Sequence, residues 1–237
     1  MNDHDLVDTS EMYLKAVLEL EEEGVVALRA RLVERFGHSG PTVSQTVDRL
    51  RRDGLLDLGA DRQILLTEAG RTMAGDVMRK HRLTEVFLHQ VVGLEWPLLH
   101  TEACRWEHVI SDHTEGLIAV LLKNPVTSPY GNPIAAGQVS AAENLTRRAV
   151  DAGTPVSISW IGEPLQADPD ALEELEKQGI IPGAVVTVTE QNSSSVVLVK
   201  DAGGEVRLPA QVAKHLFVAV LSPELPRARR PEAMISG

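Results

Sequence analysis

Between residues 100 and 108 the chain reads His100-Thr101-Glu102-Ala103-Cys104-Arg105-Trp106-Glu107-His108, a stretch that holds the protein's only cysteine. Written on a helix, His100, Cys104 and His108 fall at i, i+4 and i+8 on one face, with Glu107 beside them. Imidazole, thiolate and carboxylate together form a metal-ligand set. The plainer alternative is a small core cysteine among surface His and Glu, and this helix alone leaves both open. His81 and Glu85 make a second ligand-like pair at i, i+4, which reads equally as a solvent-facing pair. A third constellation suits nucleic acid. Ser39, Pro41, Thr42, Ser44 and Gln45 line the leading edge of a short helix, with Arg29, Arg31, Arg49, Arg51, Arg52 and Arg62 in the same segment. Short side chains let a helix N-terminus approach base edges, Gln bonds adenine bidentately, and Arg meets phosphates. Such a face is also often merely solvated.

Positioning these residues requires a particular order of elements. Residues 8–23 read as a helix with Asp8 as its cap and Glu11 completing a capping box. Met12 in its first turn reads, by itself, as core filler. Residues 27–36 form a second helix. Gly37-His38-Ser39-Gly40 is a turn, and Pro41 suits the first position of a third helix, 41–53, with Val43, Val47 and Leu50 inward. Residues 55–58 and 63–66 read as strands around a turn at 59–62. Helix, turn, helix, hairpin is a winged helix-turn-helix. A long helix follows, 68–92, capped by Thr67 and stopped by Gly93, then helices 97–111 and 114–123. The Pro- and Gly-rich residues 124–142 read as a domain boundary. Beyond it, β-branched runs at 155–160, 185–190, 196–200, 205–208 and 216–221, interrupted by a helix at 168–178, predict a small β-barrel. The tail after Ser222 combines Pro223, Pro226 and Pro231 with Arg227, Arg229 and Arg230 and reads as disordered.

Composition narrows the function classes. The chain has 237 residues and a net charge of -11, which argues against a protein that coats nucleic acid generally but permits a local basic face. One cysteine excludes an intramolecular disulfide and suits a reducing compartment. The opening Met1-Asn2-Asp3-His4-Asp5 lacks the basic and apolar regions of a signal peptide, and no apolar run reaches membrane-spanning length. The expectation is a cytoplasmic protein with no membrane partner.

Six runs taken together resemble the iron-dependent regulators of the diphtheria toxin repressor family, in the long form with a C-terminal SH3-like domain. They are Leu6-Val7-Asp8-Thr9-Ser10-Glu11-Met12-Tyr13-Leu14, Leu28-Arg29-Ala30-Arg31, Ser39-Gly40-Pro41-Thr42-Val43-Ser44-Gln45-Thr46-Val47, Met78-Arg79-Lys80-His81-Arg82-Leu83, Glu102-Ala103-Cys104-Arg105-Trp106-Glu107-His108 and Ser128-Pro129-Tyr130-Gly131-Asn132-Pro133. Their order and spacing cover residues 6–134. Further on, the match rests on Glu163-Pro164-Leu165-Gln166 and residues 180–183. Helix 112–123, residues 134–145 and the Arg/Pro tail depart from the pattern.

The resemblance implies a mainly α N-terminal part with a small β-barrel after it. A winged helix-turn-helix domain would span 1–73 and a helical dimerisation and metal-binding domain 74–140. A linker at 141–150, an SH3-like domain at 151–222 and a disordered tail at 223–237 would follow. It implies a primary metal site of Met12, Cys104, Glu107 and His108, and an ancillary site of His81, Glu85, His100, Glu163 and Gln166. An anion would involve Arg82, Ser128 and Asn132. Ser39, Pro41 and Gln45 would face bases, while Thr9, Arg29, Ala30, Arg49 and Arg62 would lie near the DNA backbone; Thr42, Ser44 and Arg52 join the DNA-binding set from their place on the outer face of helix 41–53.

The implied activity is a transcriptional repressor of iron-homeostasis genes. It would bind palindromic double-stranded operators as a homodimer, one or two dimers per operator, when loaded with Fe2+. Co2+, Ni2+, Zn2+, Mn2+ and Cd2+ would substitute in vitro. Thioether and thiolate donors are soft and disfavour magnesium, calcium and manganese as the preferred ion, without singling out iron. The alternatives are a regulator of the same fold responding to manganese or another divalent metal, a winged-helix regulator responding to a soluble ligand, and a zinc hydrolase. The hydrolase lacks a His-Glu-x-x-His run and an evident general base.

Overall fold

The computed structural model describes residues 8–135, 142–147, 150–200 and 203–221. The opening Met1–Val7 and the Arg/Pro tail from Ser222 on lie outside the described residues.

The first helix, α1 (Thr9–Glu22), is capped by Asp8, whose carboxylate accepts from the amides of Ser10 and Glu11. The expected capping box is not closed by Glu11, whose side chain reaches His108 instead. From Tyr13 to Leu20 every residue of α1 is buried, so this helix is covered on all sides. Around it stand α2 (Arg29–Phe36) and α3 (Gly40–Arg52). Ser39 caps α3, with Pro41 at its second rather than first position, where a missing N–H still costs nothing. Val43, Val47 and Leu50 lie at zero exposure, as their spacing predicts. The antiparallel pair β1 (Leu56–Leu58) and β2 (Ile64–Leu66) makes the wing. These elements share one core with the start of α4 (Glu68–Phe87), through Ala74 and Met78.

The long helix is shorter than its apolar pattern suggests. After Phe87 the chain widens into a π-type turn, Leu88–Val92, and Gly93 ends it at φ +78. A 3-10 turn at Trp96–Leu98 leads into α5 (Leu99–Trp106), and α6 (Asp112–Leu121) follows behind the Ser111 cap. Glu107 and His108 therefore lie just beyond the α5 helix rather than within a helix running to 111. Among the described residues no helix is long and apolar enough to cross a membrane.

Among the described residues the C-terminal part forms a six-stranded antiparallel sheet: β3 (Glu143–Asn144), β4 (Thr154–Ile161), β5 (Val185–Gln191), β6 (Ser195–Lys200), β7 (Glu205–Pro209) and β8 (Leu216–Val220), in the order β3-β8-β4-β5-β6-β7. Register shifts between Ile158 and Trp160 and between Val188 and Glu190 let the sheet curl over its apolar face. The expected helix is α8 (Pro169–Gln178). Two short helices were not expected: α7 (Glu163–Gln166) before it and α9 (Ala210–Ala213) before β8. One turn of helix is too short to leave a periodic signature.

Trp96, Leu99 and Tyr130 of the helical part lie in one continuous core with Val156, Ile158 and Leu165 of the sheet domain. The Pro/Gly stretch takes part in that junction. Ser128, Tyr130, Asn132 and Ile134 are buried, the Tyr130 carbonyl accepts from the Ile161 amide, and Gly131 lies flat against β4. Residues 136–141 of the same stretch lie outside the described residues.

Candidate metal centre

Three elements bring ligand-type side chains together. Helix α4 carries His81 and Glu85 one turn apart, α5 carries His100 and Cys104, and α7 carries Glu163. His81 Nε2 lies 2.8 Å from Glu85 Oε1 and 3.1 Å from His100 Nδ1. Glu163 Oε2 lies 3.3 Å from His100 Nδ1 and 4.0 Å from His81 Nε2, and His100 Nδ1 lies 3.7 Å from Glu85 Oε1. Donors sharing one ion at about 2.1 Å stand roughly 3.0–3.4 Å apart in octahedral or tetrahedral geometry. Three of these separations, 2.8, 3.1 and 3.3 Å, are near that range, and those of 3.7 and 4.0 Å would have to close by a few tenths of an ångström for one ion to take all four donors. Among the described residues Glu85 Oε2 and Glu163 Oε2 are buried without a hydrogen bond, the latter answered by the nearby His100 ring, which leaves lone pairs free for a cation. Two imidazoles and two carboxylates fit a divalent cation. Gln166, one turn along α7, donates through Nε2 to Asn132 Oδ1 and the Ile161 carbonyl, leaving its own Oε1 buried and unbonded. Among the described residues it makes no hydrogen bond to the His81 cluster.

Met12, Cys104, Glu107 and His108 line a cavity of about 880 Å³ between α1, α5 and the sheet domain. Glu107 Oε1 is 3.2 Å from His108 Nε2, and His108 Nδ1 meets Glu11 Oε2 at 2.7 Å. Cys104 Sγ faces His100 Nε2 at 3.5 Å. The His100-Cys104-His108 stripe is thus divided: His100 joins the His81 cluster and His108 turns towards α1.

Sequence reasoning missed one residue at the centre of all this. Lys15 extends from α1 into the pocket, with Nζ 2.7 Å from Glu107 Oε2, 3.1 Å from His81 Nδ1 and 3.9 Å from Cys104 Sγ. The available signal was a lysine one turn from Met12, inside the otherwise apolar Tyr13–Leu18 run. Burial pushes the Cys104 thiol up, but Lys15, His100 and His81 outweigh it and bring it down to about 5. Glu107 is likewise raised by burial and held well below the usual carboxylate range by Lys15, His81 and His108. Burial lowers His100, yet Cys104 and Glu85 lift it to about 9. His81 stands well above its ordinary value: Glu85, Cys104 and Glu107 outweigh burial and the adjacent Lys15.

The site thus favours the protonated form of each ring, though not of both N–H groups where His81 Nε2 and His100 Nδ1 face each other at 3.1 Å, and a ligand imidazole has to be neutral. Metal binding should release protons and strengthen with rising pH up to about 9, by about tenfold per unit for each proton displaced. The thiol of Cys104 contributes none of this above about pH 5. Calorimetric titrations in buffers of different ionisation enthalpy, between pH 6 and 8, measure the release directly. A pH-independent affinity over that range would show rings that were neutral from the start.

The three residues considered for an anion are otherwise engaged. Arg82 donates to Glu22, to Glu163 and to the Pro133 carbonyl, Ser128 Oγ accepts from the Tyr130 amide, and Asn132 Oδ1 accepts from Gln166. An anion at Arg82 has to compete with the Glu22 carboxylate.

The expected DNA face is carried by the start of α1, by α2 and α3, and by the wing. Thr9, Ala30, Ser39, Pro41, Thr42, Gln45 and Arg52 are exposed, Ser44 is partly so, and Arg62 stands at the wing turn with φ +62. Two arginines are already paired, Arg29 with Asp48 at 2.6 Å and Arg49 with Ser10 Oγ at 3.3 Å.

Comparison with known proteins agrees with this layout. Residues 5–64 match the family described as "Iron dependent repressor, N-terminal DNA binding domain", and residues 67–136 match "Iron dependent repressor, metal binding and dimerisation domain". Residues 148–220 match the "FeoA domain". The chain is 47% identical over 226 residues to "Iron-dependent repressor IdeR" of Mycobacterium tuberculosis (strain ATCC 25618 / H37Rv), covering 91% of this chain and 98% of that protein. It is 44% identical over 222 residues to "Diphtheria toxin repressor" of Corynebacterium diphtheriae (strain ATCC 700971 / NCTC 13129 / Biotype gravis), covering 86% and 98%. Among solved structures it is similar to a "Manganese-dependent transcriptional repressor complex with manganese", with TM-score 0.76, 30% identity and coverage of 90% and 100%. It is also similar to ScaR with bound Zn2+, with TM-score 0.77, 26% identity and coverage of 90% and 100%.

Proposed function

The chain belongs to the iron-dependent repressor family, and from that premise we propose that it senses ferrous iron and represses iron-homeostasis genes as an operator-bound homodimer. The family consists of metal-dependent DNA-binding repressors rather than enzymes, which sets the hydrolase reading aside.

One observation carries the mechanism. Helix α1 is shared between the metal pocket and the DNA-binding unit. Its Glu11 bonds His108, its Met12 lines the cavity with Cys104, and its Ser10 bonds Arg49 of α3. We assign Met12, Cys104, Glu107 and His108 to the primary site and His81, Glu85, His100 and Glu163 to the ancillary one, with Gln166 as a further oxygen donor. A divalent cation supplies concentrated positive charge at these donors. Met12 of α1 and Cys104 of α5 would hold one ion between them and so fix α1 relative to α5, and through Arg49 and the shared core α3 with it. A ligand that favours the DNA-competent placement shifts the population by its differential affinity. Thioether and thiolate donors set the primary site against magnesium, calcium and manganese without singling out iron, so the choice of iron follows the relatives' names and metal availability, while the nitrogen and oxygen donors of the ancillary site also suit manganese. Glu163 comes from the sheet domain, so we read 151–222 as a clasp that the ancillary site closes.

For the dimer, α6 exposes Leu117, Val120 and Leu121 at i, i+3 and i+4, with exposures of 58%, 70% and 60%. An apolar stripe of this kind on a helix of the dimerisation region supports its assignment to the two-fold interface. Two α3 helices would then face successive turns of a palindrome.

The direct test is a mobility shift on a candidate operator, with and without anaerobic ferrous iron. A shift that ignores chelation overturns the reading. Within the interface, Gln45→Ala is expected to relax base preference more than it weakens binding to arbitrary DNA. Arg62→Ala should weaken both and flatten the salt dependence by about one unit of slope. Operator-selection profiles and salt titrations read the two effects separately. An unchanged preferred sequence in Gln45→Ala removes that residue from base reading.

A further inference from the structure

Lys15 remains without a role in this scheme, although it touches members of both proposed sites. It is 6% exposed, and a buried ammonium persists only where charge partners surround it. Its charge partners are Glu107 Oε2 and Cys104 Sγ of the primary set, while His81 of the ancillary set lies 3.1 Å away without balancing its charge. One alternative carboxylate is in reach: Glu19, one turn along α1, has Oε1 3.9 Å from Nζ and its other oxygen on Arg35.

We propose that Lys15 is a built-in counter-ion of the metal-free repressor, balancing Cys104 and Glu107 until metal replaces it and so setting the metal concentration at which the protein switches. The idea rests on the assignment of Cys104 and Glu107 as ligands. A dication held by those donors would bring two positive charges beside the ammonium, among buried groups that solvent screens poorly. Nζ then turns from Glu107 to Glu19 by rotation of its own side chain, with no movement of α1. Removing the ammonium removes the competitor. It does not return Cys104 to its proton, because His100 Nε2 stays 3.5 Å from the sulfur. Lys15 is in this sense a positioning residue that acts through the ligands.

The experiment is an anaerobic Co2+ titration of the full chain, read from the thiolate-to-cobalt charge-transfer absorption in the near ultraviolet. Lys15→Met keeps the chain length and removes the charge, and is expected to reach half-saturation at about tenfold lower Co2+ than wild type. Lys15→Arg keeps the charge and should titrate near wild type. Metal-free Lys15→Met should also melt lower than metal-free wild type and gain more from Co2+, since Glu107 has lost its cation. If the methionine variant does not fold, Lys15→Gln keeps a donor for Glu107 and carries the same expectation. Equal or weaker Co2+ binding in a folded charge-removing variant overturns the counter-ion role. A wild type that binds Co2+ without a thiolate band overturns the ligand assignment itself, which the Lys15 variants do not affect.

Discussion

Cys104→Ala should leave a folded protein that no longer answers to metal. The side chain removed is small, and its sulfur makes few contacts apart from His100 and Lys15, so the metal-free variant should melt within a few degrees of wild type. What disappears is the soft donor of the set. With its thiol held at about 5, Cys104 is a thiolate at neutral pH and is ready to bind without losing a proton first. Losing one of four ligands should weaken the primary site by on the order of 100-fold or more. Operator occupancy at ordinary iron levels should fall to that of the metal-free protein. The comparison is a ferrous iron titration of DNA binding, wild type against variant, with thermal melts of both metal-free proteins. Full operator affinity in Cys104→Ala would falsify its assignment to the primary site.

Gly131→Ala is expected to have the largest effect on stability. Gly131 has φ +85, and a Cβ there would lie 2.0 Å from the carbonyl oxygen of Ser159 in β4. The left-handed backbone alone costs about 1–2 kcal/mol for alanine. The clash is with backbone, which has no rotamer to escape through, so the loop or the strand has to move. A total of about 3 kcal/mol or more corresponds to a fall in Tm of roughly 6–12 °C for a chain of this size. The loss should centre on the domain junction, because this loop holds β4 through the Tyr130 carbonyl and α5 through the Tyr130 hydroxyl. Glu163 should then reach the His81 cluster less often, and the sheet domain should become more open to proteolysis even with metal present. Gly153→Ala separates the two causes. It has φ +91 but open space where the Cβ would go, so it should show the strain alone. Equal melting temperatures for the two variants would remove the clash from the account.

How much of this was legible before any coordinates depends on the range of the interaction. The helix-turn-helix was readable from local rules. Val43, Val47 and Leu50 repeat at helical spacing, Ser39 is a capping residue, and the hairpin residues flank a turn. Each signal lies within about a dozen residues of the element it specifies. Strands β4 to β8 of the sheet domain were readable in the same way, whereas β3 (Glu143–Asn144), two residues long in the stretch read as a linker, was not. The breaks after Phe87 and Trp106 were not, because the apolar pattern runs on through both.

The candidate site divides along the same line. Residue types and spacing by themselves determined that His81 and Glu85 share a helix face, that Cys104 stands one turn from His100, and that a ligand set was available. Packing alone decided which of them meet. His100 turned to His81 and Glu163, His108 to Glu11, and Arg82 to Glu22. Lys15 and Glu107 are 92 positions apart in the chain, and neither residue's neighbours name the other. Side-chain periodicity is a property of one element, whereas a buried charge finds its partner only after several elements have closed around it and excluded water. The sequence could therefore supply the ligands, but not the cation that stands among them.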